Sequence, residues 1–382
     1  MECMRSVQDI PRFENIPIIV RAALNAPVEN GKVTNSFRLR SAIPTIQFLQ
    51  KKHARVILIG HIGEKGTETL EPVYAAMKAL VPNLSWCPVT VGPVAREAVR
   101  NLTPGGVLML ENLRRNPGET KDDPAFARQL AELADVYVED SFDVCHRAHA
   151  SVVGLPKLLA PYAGLQVMKE VEELTKALRP GTPSLAIIGG AKFSTKEPVL
   201  TALLARYSRV FVGGALANDF MQASGKTVGK SLVSSGIDEL AIRTLLKNPK
   251  LMLPLDEVVA PAGASHDAGA VVGVNAVPAT HGIYDDGPKT VAALAALAAG
   301  AKTVLWNGPL GLYEKGFTDA TEALARAIGE SSAYSILGGG DTVAAVEEFG
   351  LSHRFSFIST GGGAMLDFLA KGTLPGLAAL DA

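Results

Sequence analysis

The sequence predicts an α/β protein of two lobes, each a doubly wound parallel sheet. Short β-rich runs alternate with helical patterns along the chain, which favours parallel strands covered by helices on both faces. At 382 residues the chain exceeds what one ordinary hydrophobic core requires, so we expect two domains. The residues that follow the apolar runs are glycines in the second half but arginines or histidines in the first. The two lobes should therefore bind different ligands.

In the first half, β-rich runs predict strands at residues 16–20, 55–59, 107–110 and 135–138. Helical patterns lie between them at 41–51, 70–80 and 124–134, and the last begins after two aspartates and a proline, a typical helix start. A long amphipathic pattern at 165–178 ends at Arg179-Pro180-Gly181 and predicts a rigid helix that joins the lobes.

The second half resumes the alternation, with predicted strands at 185–188, 210–212, 257–260, 303–306, 334–337 and 355–358. The predicted domains are therefore a lobe at 1–164, the connecting helix at 165–178, a lobe at 179–365 and a tail at 366–382. In doubly wound sheets ligands bind at the carboxyl ends of the strands, where the glycines and the cationic residues of this chain fall.

Composition excludes several classes of protein. The formal net charge of -1 gives no reason to expect nucleic acid or an anionic membrane surface as a partner. Three widely spaced cysteines without a C-x-x-C pair support neither a disulfide framework nor a zinc site, so we expect a cytoplasmic location. The amino terminus lacks the apolar stretch of a signal peptide. The alanine-rich run at 290–301 is too short to span a bilayer, and we expect a buried helix there.

Five glycine turns in the second half indicate a nucleotide site, because a strand, a glycine turn and a helix together bind phosphate through backbone N–H groups. They lie at 189–190, 213–214, 308, 338–342 and 361–363. A single turn with Asp341 as helix N-cap would be unremarkable, but five in successive units favour phosphate. Asp341 would then offer a carboxylate to Mg²⁺. Two fragments that imitate a Walker A loop, at 225–227 and 229–231, lack its first glycine and are rejected.

Two lysines and a basic cluster are further candidates for binding phosphate or a small anion. Lys192 and Lys196 are four residues apart after a predicted strand, on one face if a helix begins there, and such a pair suits a triphosphate. The alternative is ordinary surface charge. In the first half, His146-Arg147-Ala148-His149 follows a strand and favours contact with a small anion over a surface cluster or an H-x-x-H metal site. Arg21, His61 and Arg114 occupy comparable positions.

These blocks resemble the phosphoglycerate kinase family over almost the whole chain. Residues 20–27 resemble the signature R-x-D-x-N-x-P, Gly60-His61-Ile62-Gly63 resembles S-H-L-G, and Glu111 to Arg114 matches E-N-L-R. His146 to His149 matches H-R-A-H without change. In the second half, blocks 189–196, 306–314, 338–342 and 359–363 are similar to their family counterparts. The resemblance implies two α/β lobes that close by hinge bending, a 3-phosphoglycerate site on the first lobe, a nucleotide site on the second and a tail that returns to the first.

The implied activity is reversible phosphoryl transfer between 1,3-bisphosphoglycerate and ADP, by a monomer that uses Mg²⁺ with ATP or ADP. The implied catalytic groups are Arg38, Lys192, Gly340 and Gly362. The acid would be held by Arg21, Asn25, Arg38, His61, Arg114, His146 and Arg147. The nucleotide would be held by Gly190, Lys196, Gly213, Gly214, Asn307, Pro309, Glu314, Gly338, Gly339, Gly340, Asp341 and Thr342, with Asp341 on the metal and Glu314 on the ribose hydroxyls.

The chain departs from the family pattern mainly in the acid-binding half. Ala23 stands where the family has an aspartate that accepts from the substrate hydroxyl, and Glu64 stands where it has an arginine for the 3-phosphate. We expect these changes to weaken acid binding unless Lys65 or Arg115 compensates. Two alternatives stay open: a kinase for a related acid, and a nucleotide-binding homologue that acts through partners without catalysis.

Overall fold

The structure, a computed structural model, describes residues 4–236 and 238–381. The chain divides into two units: unit 1 comprises Met1–Glu172 with Thr373–Ala382, and unit 2 comprises Glu173–Gly372. Within the described residues, each unit is built on a six-stranded parallel sheet with helices packed against it. The predicted class of two parallel-sheet α/β lobes is confirmed.

The sheet of unit 1 has the strand order β5-β6-β4-β1-β7-β8, all parallel, and a short hairpin of β2 and β3 lies outside it. The apolar side chains of its central strands form a buried core. The strands are β1 (Pro17–Ala22), β2 (Val28–Glu29), β3 (Lys32–Val33), β4 (Arg55–Ile59), β5 (Leu84–Cys87), β6 (Val107–Leu110), β7 (Val136–Asp140) and β8 (Ala160–Ala163).

The helices that begin in unit 1 are α1 (Phe37–Ser41), α2 (Ile43–Lys51), α3 (Glu71–Lys78), α4 (Pro93–Arg100), α5 (Pro124–Ala131) and α6 (Leu165–Leu178). The single helix predicted at 41–51 is wrong. A helix ends at Ser41 and a new one begins at Ile43, with Pro44 in its first turn. Proline lacks an N–H and is tolerated in a first turn, where no intrahelical partner exists, so it marks a start. The boundary between the two units falls inside α6.

Unit 2 contains a parallel sheet of order β11-β10-β9-β15-β16-β17 and a separate antiparallel sheet of order β13-β12-β14. The strands are β9 (Ser184–Ile188), β10 (Arg209–Val212), β11 (Leu251–Met252), β12 (Asp256–Pro261), β13 (Ala270–Gly273), β14 (His281–Asp286), β15 (Thr303–Asn307), β16 (Tyr334–Gly338) and β17 (Phe357–Ile358). Its helices are α7 (Phe193–Arg206), α8 (Gly214–Ala223), α9 (Glu239–Leu246), α10 (Pro288–Gly300), α11 (Asp319–Glu330), α12 (Gly340–Glu348) and α13 (Gly363–Lys371).

Two expectations for unit 2 need correction. The strand predicted at 257–260 exists, but it belongs to the antiparallel sheet and not to the parallel one. A run of apolar β-formers predicts a strand without saying which strand it pairs with. Helix α10 is buried along one face only, through Thr290, Leu294 and Ala298, although a buried helix was expected. Small side chains make a helix look apolar all round even when half of it meets water.

The chain returns to unit 1 after Gly372 and forms the short helix α14 (Pro375–Ala378). The N–H of Gly376 donates to the carbonyl of Cys145 at 2.8 Å. A Cβ on Gly376 would stand 3.0 Å from the Cα of Cys145, so this close approach requires glycine. Within the part of the chain that the structure describes, no helix is both long and apolar enough to cross a membrane.

Candidate active site

In unit 1, Arg21 and His61 lie just beyond the core, at the carboxyl ends of the neighbouring strands β1 and β4. Arg21 is fully buried, and its Nε donates to the Oγ of Ser151 at 3.1 Å. Its Nη2 donates to the Nδ1 of His61 at 2.8 Å. Because a guanidinium only donates, His61 must accept at Nδ1, which leaves its proton on Nε2. Arg21 therefore orients the His61 ring through its Nδ1 and leaves Nε2 as the donor.

Burial is the main reason why the pKa of His61 lies well below its ordinary value, and the charges of Arg21, Arg114 and Arg147 add to the effect. The ring is consequently neutral at physiological pH. A neutral imidazole surrounded by guanidinium groups is suited to donating a hydrogen bond to an anion, since the positive field is already provided by its neighbours.

Arg114 offers an unused donor in the same cluster. It is buried in the short 3-10 helix Leu113–Arg115 that follows β6, and its Nη1 donates to the carbonyl of Gly63. Its Nε has no hydrogen-bond partner among the described residues. Burial lowers the pKa of Arg114, as do the nearby charges of Arg147 and Arg21. A buried donor without a partner is costly, and a bound anion would satisfy it.

Glu119 is a buried carboxylate that supports this cluster, and it did not figure among the sequence candidates. It accepts from the Oγ of Ser151 at 2.6 Å and from the N–H of Ser151 at 3.0 Å. Burial raises the pKa of Glu119, whereas Arg21 opposes that shift. Ser151 thereby links Glu119 to Arg21. A loop glutamate with buried partners looks like any surface glutamate in the sequence, so no sequence signal could have identified it.

Asn25 and Arg38 hold the loop that follows β1. The Oδ1 of Asn25 accepts from the N–H of Gly63 at 3.1 Å, and Nη1 of Arg38 donates to the carbonyl of Asn25 at 3.2 Å. Both side chains are half-buried. His146 is also half-buried, and Arg147 is exposed. The structure thus places all the predicted acid-site residues in unit 1, with Arg21 in a supporting position.

The two departures from the family pattern differ in environment. Ala23 is only 1% exposed, whereas Glu64 is exposed. The negative charge of Glu64 raises the pKa of Arg114. Of the two cations that were expected to compensate, Arg115 is held by Glu111 through a 2.8 Å ion pair. Lys65 is exposed. The charge of Glu64 influences Arg114 less than burial and the charges of Arg147, Arg21 and Glu119 do.

Unit 2 contains a pocket of about 410 Å³ in which several predicted nucleotide residues meet. Apolar parts of the wall come from Leu310 and Leu312, and polar parts come from Tyr284 and Asp285. The predicted residues in its lining are Gly190, Gly214, Pro309, Glu314 and Asp341. The remaining ones lie outside the lining: Gly213 and Gly339 are helix N-caps, Asn307 and Gly338 end their strands, Gly340 and Thr342 are in the first turn of α12, and Lys196 is in α7.

The turn after β15 shows why glycine is required beside this pocket. Gly308 has φ +99°, and a Cβ on it would stand 2.3 Å from the carbonyl carbon of Gly189, which follows β9. Its N–H donates to the Oγ1 of Thr342 at 2.9 Å. Only glycine permits this conformation and this contact. The carboxyl ends of two neighbouring strands can therefore approach each other.

Three of the helices that begin at the predicted glycine turns of unit 2 have no side-chain cap. The N-caps of α8, α12 and α13 are Gly213, Gly339 and Gly362. Asp341 lies in the first turn of α12, so the alternative in which it is the N-cap is wrong. Uncapped first-turn N–H groups, at the positive end of the helix dipole, are what a phosphate binds.

Lys196 contacts this region from α7. Its Nζ donates to the Oδ1 of Asn307 at 2.9 Å. Burial lowers the pKa of Lys196 to about 8, although Asp341 acts in the opposite direction. Lys192 is exposed and precedes the helix as its N-cap, with φ +53°.

Asp341 fits a metal ion that arrives with a nucleotide. It is an exposed carboxylate at the pocket, and oxygen ligands of this kind suit Mg²⁺. The described residues include no group of three or more histidine, cysteine or carboxylate side chains that could hold a metal. One carboxylate is appropriate where phosphate oxygens and water complete the coordination shell.

Comparisons with known proteins show the family of the chain. The family profile described as phosphoglycerate kinase matches residues 7–372. The chain is 45% identical to the phosphoglycerate kinase of Moorella thermoacetica, over 96% of this chain and 97% of the relative. It is 41% identical to that of Thermomicrobium roseum, over 99% of both chains.

Solved structures give the same result. The phosphoglycerate kinase of Coxiella burnetii matches with a TM-score of 0.84 at 37% identity, over 99% of both chains. That of Pyrococcus horikoshii OT3 matches with a TM-score of 0.91 at 29% identity, over 99% of this chain and 98% of the other. The chain belongs to the phosphoglycerate kinase family.

Proposed function

We propose that unit 2 binds ADP or ATP as the Mg²⁺ complex, that unit 1 binds 3-phosphoglycerate or 1,3-bisphosphoglycerate, and that the chain transfers a phosphoryl group between them in either direction. The observation that carries the proposal is the unit 2 pocket, which joins Asp341, Glu314 and the glycine turns in one cavity. The cationic cluster of unit 1, with its unpartnered Arg114 Nε, supports the acid site.

In the direction of ATP use, a carboxylate oxygen of 3-phosphoglycerate attacks the terminal phosphorus of ATP. The bond from that phosphorus to the bridging oxygen breaks, and ADP leaves with the electron pair. The attacking group is already ionised and the leaving group is an anion, so no general base is needed. The protein's task is alignment and neutralisation of spread negative charge.

The residues divide this task between them. We assign Arg38, Lys192 and the N–H groups at Gly340 and Gly362 to the transferring phosphoryl group, as fixed donors to charge that develops there. Lys196 would hold the nucleotide phosphates and Glu314 the ribose hydroxyls. Asp341 would hold Mg²⁺, which when bound neutralises phosphate charge. Asn25, His61, Arg114, His146 and Arg147 would hold the acid, with Arg21 as the group that orients His61.

A coupled assay with ATP, Mg²⁺ and 3-phosphoglycerate tests the activity. We expect product that depends on both substrates and on the metal. A related acid used in preference to 3-phosphoglycerate would favour the alternative of altered specificity, and MgADP binding without any turnover would favour the non-catalytic one. Hinge closure, the monomeric state and a cytoplasmic location stay predictions.

A further inference from the structure

Two buried carboxyl groups face each other in the antiparallel sheet of unit 2. Glu257 on β12 is directly opposite Asp286 on β14. Directly opposed residues of antiparallel strands extend their side chains on the same face. Glu257 is 1% exposed and Asp286 is 3% exposed, and their side chains are within hydrogen-bonding reach of each other. The proposed phosphoryl transfer uses neither of them.

The hydrogen bonding of this pair is incomplete if both groups are ionised. Both Oε atoms of Glu257 and the Oδ2 of Asp286 have no hydrogen-bond donor among the described residues. Two carboxylates can only accept, and they repel each other. A proton on one of them supplies the missing donor, because a protonated carboxyl group donates through its O–H.

Neighbouring carboxylates on the same strands are satisfied differently. Asp256 accepts from the N–H groups of Lys289 at 3.0 Å and Thr290 at 2.8 Å, at the start of α10. Asp285 accepts from the N–H of Ala320 at 3.1 Å, in α11. Backbone donors thus satisfy oxygens of these two carboxyl groups, although burial still raises the pKa of Asp285 to about 7. The Glu257–Asp286 pair has a different solution and depends on its own proton.

The surrounding charges act in the same direction. The pKa of Glu257 is raised to about 9, mainly by burial and then by the charges of Asp256 and Asp285, while Lys226 opposes the shift. Burial is also the main reason why the pKa of Asp286 is raised, and the charges of Glu257 and Asp285 add to this shift. The elements packed against these strands carry further charged groups, which are Asp219 on α8, Lys289 on α10, Asp319, Glu322, Arg326 and Glu330 on α11, and His266 and Asp267 in the 3-10 helix His266–Ala268. Asp219 is bonded to Ser234, and His266 is bonded to Asp319.

The pair adjoins the proposed nucleotide pocket. Asp286 is part of the pocket lining. Its Oδ2 lies 2.7 Å from the point where a Cβ on Gly213 would stand, and the next residue, Gly214, also lines the pocket. A negative charge on Asp286 would therefore lie at the wall of a pocket that is proposed to hold an anion.

We propose that Glu257 and Asp286 share a proton as a carboxylic acid pair that ties β12 to β14 behind the nucleotide pocket, and that ionisation of this pair in alkaline solution weakens nucleotide binding. The inference rests on the proposed placement of the nucleotide in unit 2. The two side chains are positioning residues, because they act through the wall of the pocket and not on the reacting atoms.

Linkage fixes the direction of the effect on stability. The folded state holds this proton at a pH where the unfolded chain has lost it, so the native state binds more protons in that range. The pair's contribution to stability is therefore complete below the carboxyl pKa of the unfolded chain, about 4. It is lost progressively as the pH rises towards the folded value of about 9.

The test measures MgADP affinity by calorimetry and thermal unfolding across a pH series, on the unmodified protein and on Glu257→Gln, Asp286→Asn and the double variant. Glu330→Gln, at the exposed end of α11, is the matched control. The Kd for MgADP should increase between about pH 7 and about pH 9.5. The fold-increase should be roughly ten times larger for the control than for the amide variants, as expected when a charge is added near an anion. The control's Tm should also fall more steeply with pH.

Lys196 and Asp285 titrate in or near the same range. Both are present in every variant, so the difference between variant and control reports on the pair. Amide variants whose Kd and Tm profiles parallel the control would overturn the proposal. If a single variant does not fold, the double variant decides, because two amides can still hydrogen-bond to each other. Absence of MgADP binding to the unmodified protein at every pH would instead overturn the nucleotide placement, and the Tm profiles would still decide whether the pair shares a proton.

Discussion

The ammonium group of Lys196 donates a 2.9 Å hydrogen bond to the side-chain oxygen of Asn307, 111 residues further along the chain. This contact joins the first helix of unit 2 to the end of β15, beside the pocket. Burial lowers the pKa of Lys196 to about 8, so this cation is close to losing its charge at physiological pH. The proposed phosphate contact of Lys196 is therefore sensitive to pH.

We predict that alkaline pH weakens ADP binding through Lys196. If only the protonated lysine holds the phosphates, the Kd should rise on the order of tenfold between about pH 7 and about pH 9. Lys196→Met should bind more weakly at neutral pH and should lose this part of the dependence, leaving the part assigned to the Glu257–Asp286 pair. Calorimetry across the pH series measures both effects. An unchanged pH profile in Lys196→Met would contradict the assignment.

Loss of the Lys196 proton should weaken ADP binding but should increase the stability of the folded protein. The folded pKa of Lys196 lies below that of the unfolded chain, so its burial costs most stability below about pH 8, and the cost disappears as the pH rises towards about 10.4. The Tm difference between Lys196→Met and the unmodified protein should therefore shrink over this range.

Asp341→Ala tests the metal assignment. We expect binding of MgADP to weaken by roughly fivefold, since an exposed ionic contact is worth up to about 1 kcal/mol. Binding of ADP without Mg²⁺ should change much less, because no metal then bridges the carboxylate to the phosphates. Equal losses in the presence and absence of the metal would remove Asp341 from the metal site.

Arg38→Ala tests the assignment of a fixed cation to the transferring group. Turnover should fall on the order of 10²–10³-fold, as when one donor is removed from a site that stabilises developing charge. Affinity for MgADP should stay the same, because Arg38 lies in unit 1 and the nucleotide pocket lies in unit 2. Arg38→Lys, which keeps the charge but not the forked geometry, is the matched comparison. A variant with most of its turnover would exclude Arg38 from the mechanism.

Restoring the family residues in the acid site should improve binding of 3-phosphoglycerate. Glu64→Arg replaces an exposed negative charge whose field reaches Arg114 and would repel an anionic substrate. It should therefore lower the KM for the acid, and this effect should fade as salt rises. The double variant Ala23→Asp with Glu64→Arg should lower it further and leave the KM for ATP unchanged.

Each single variant and Glu64→Gln should be measured beside the double one. Ala23 is buried, so the added aspartate needs a bound hydroxyl or other donor as its partner. Tight acid binding by the unmodified protein, with weaker binding by the double variant, would show that the departures from the family pattern are not losses.

The sequence by itself determined the class of the fold, because alternating β-rich and helical runs are local patterns. The predicted helix at 165–178 coincides with α6, and the strands predicted at 55–59 and 107–110 coincide with β4 and β6. The motifs around His146 and Gly338 likewise indicated the family, which the comparisons confirmed. Short edge strands such as β5 and β8, with exposed or proline-containing segments, escaped prediction because their apolar signal is weak.

Only the tertiary structure decided which distant residues meet. Lys196 reaches Asn307, and Glu119 supports Arg21 through Ser151. Strand β12 pairs with β14 outside the parallel sheet, and this register is what brings Glu257 against Asp286. Burial and pairing are properties of the assembled core, and they determine the pKa of a carboxyl or an ammonium group. A residue's type and its neighbours in sequence determine only the local conformation, so the site's electrostatics had to come from the fold.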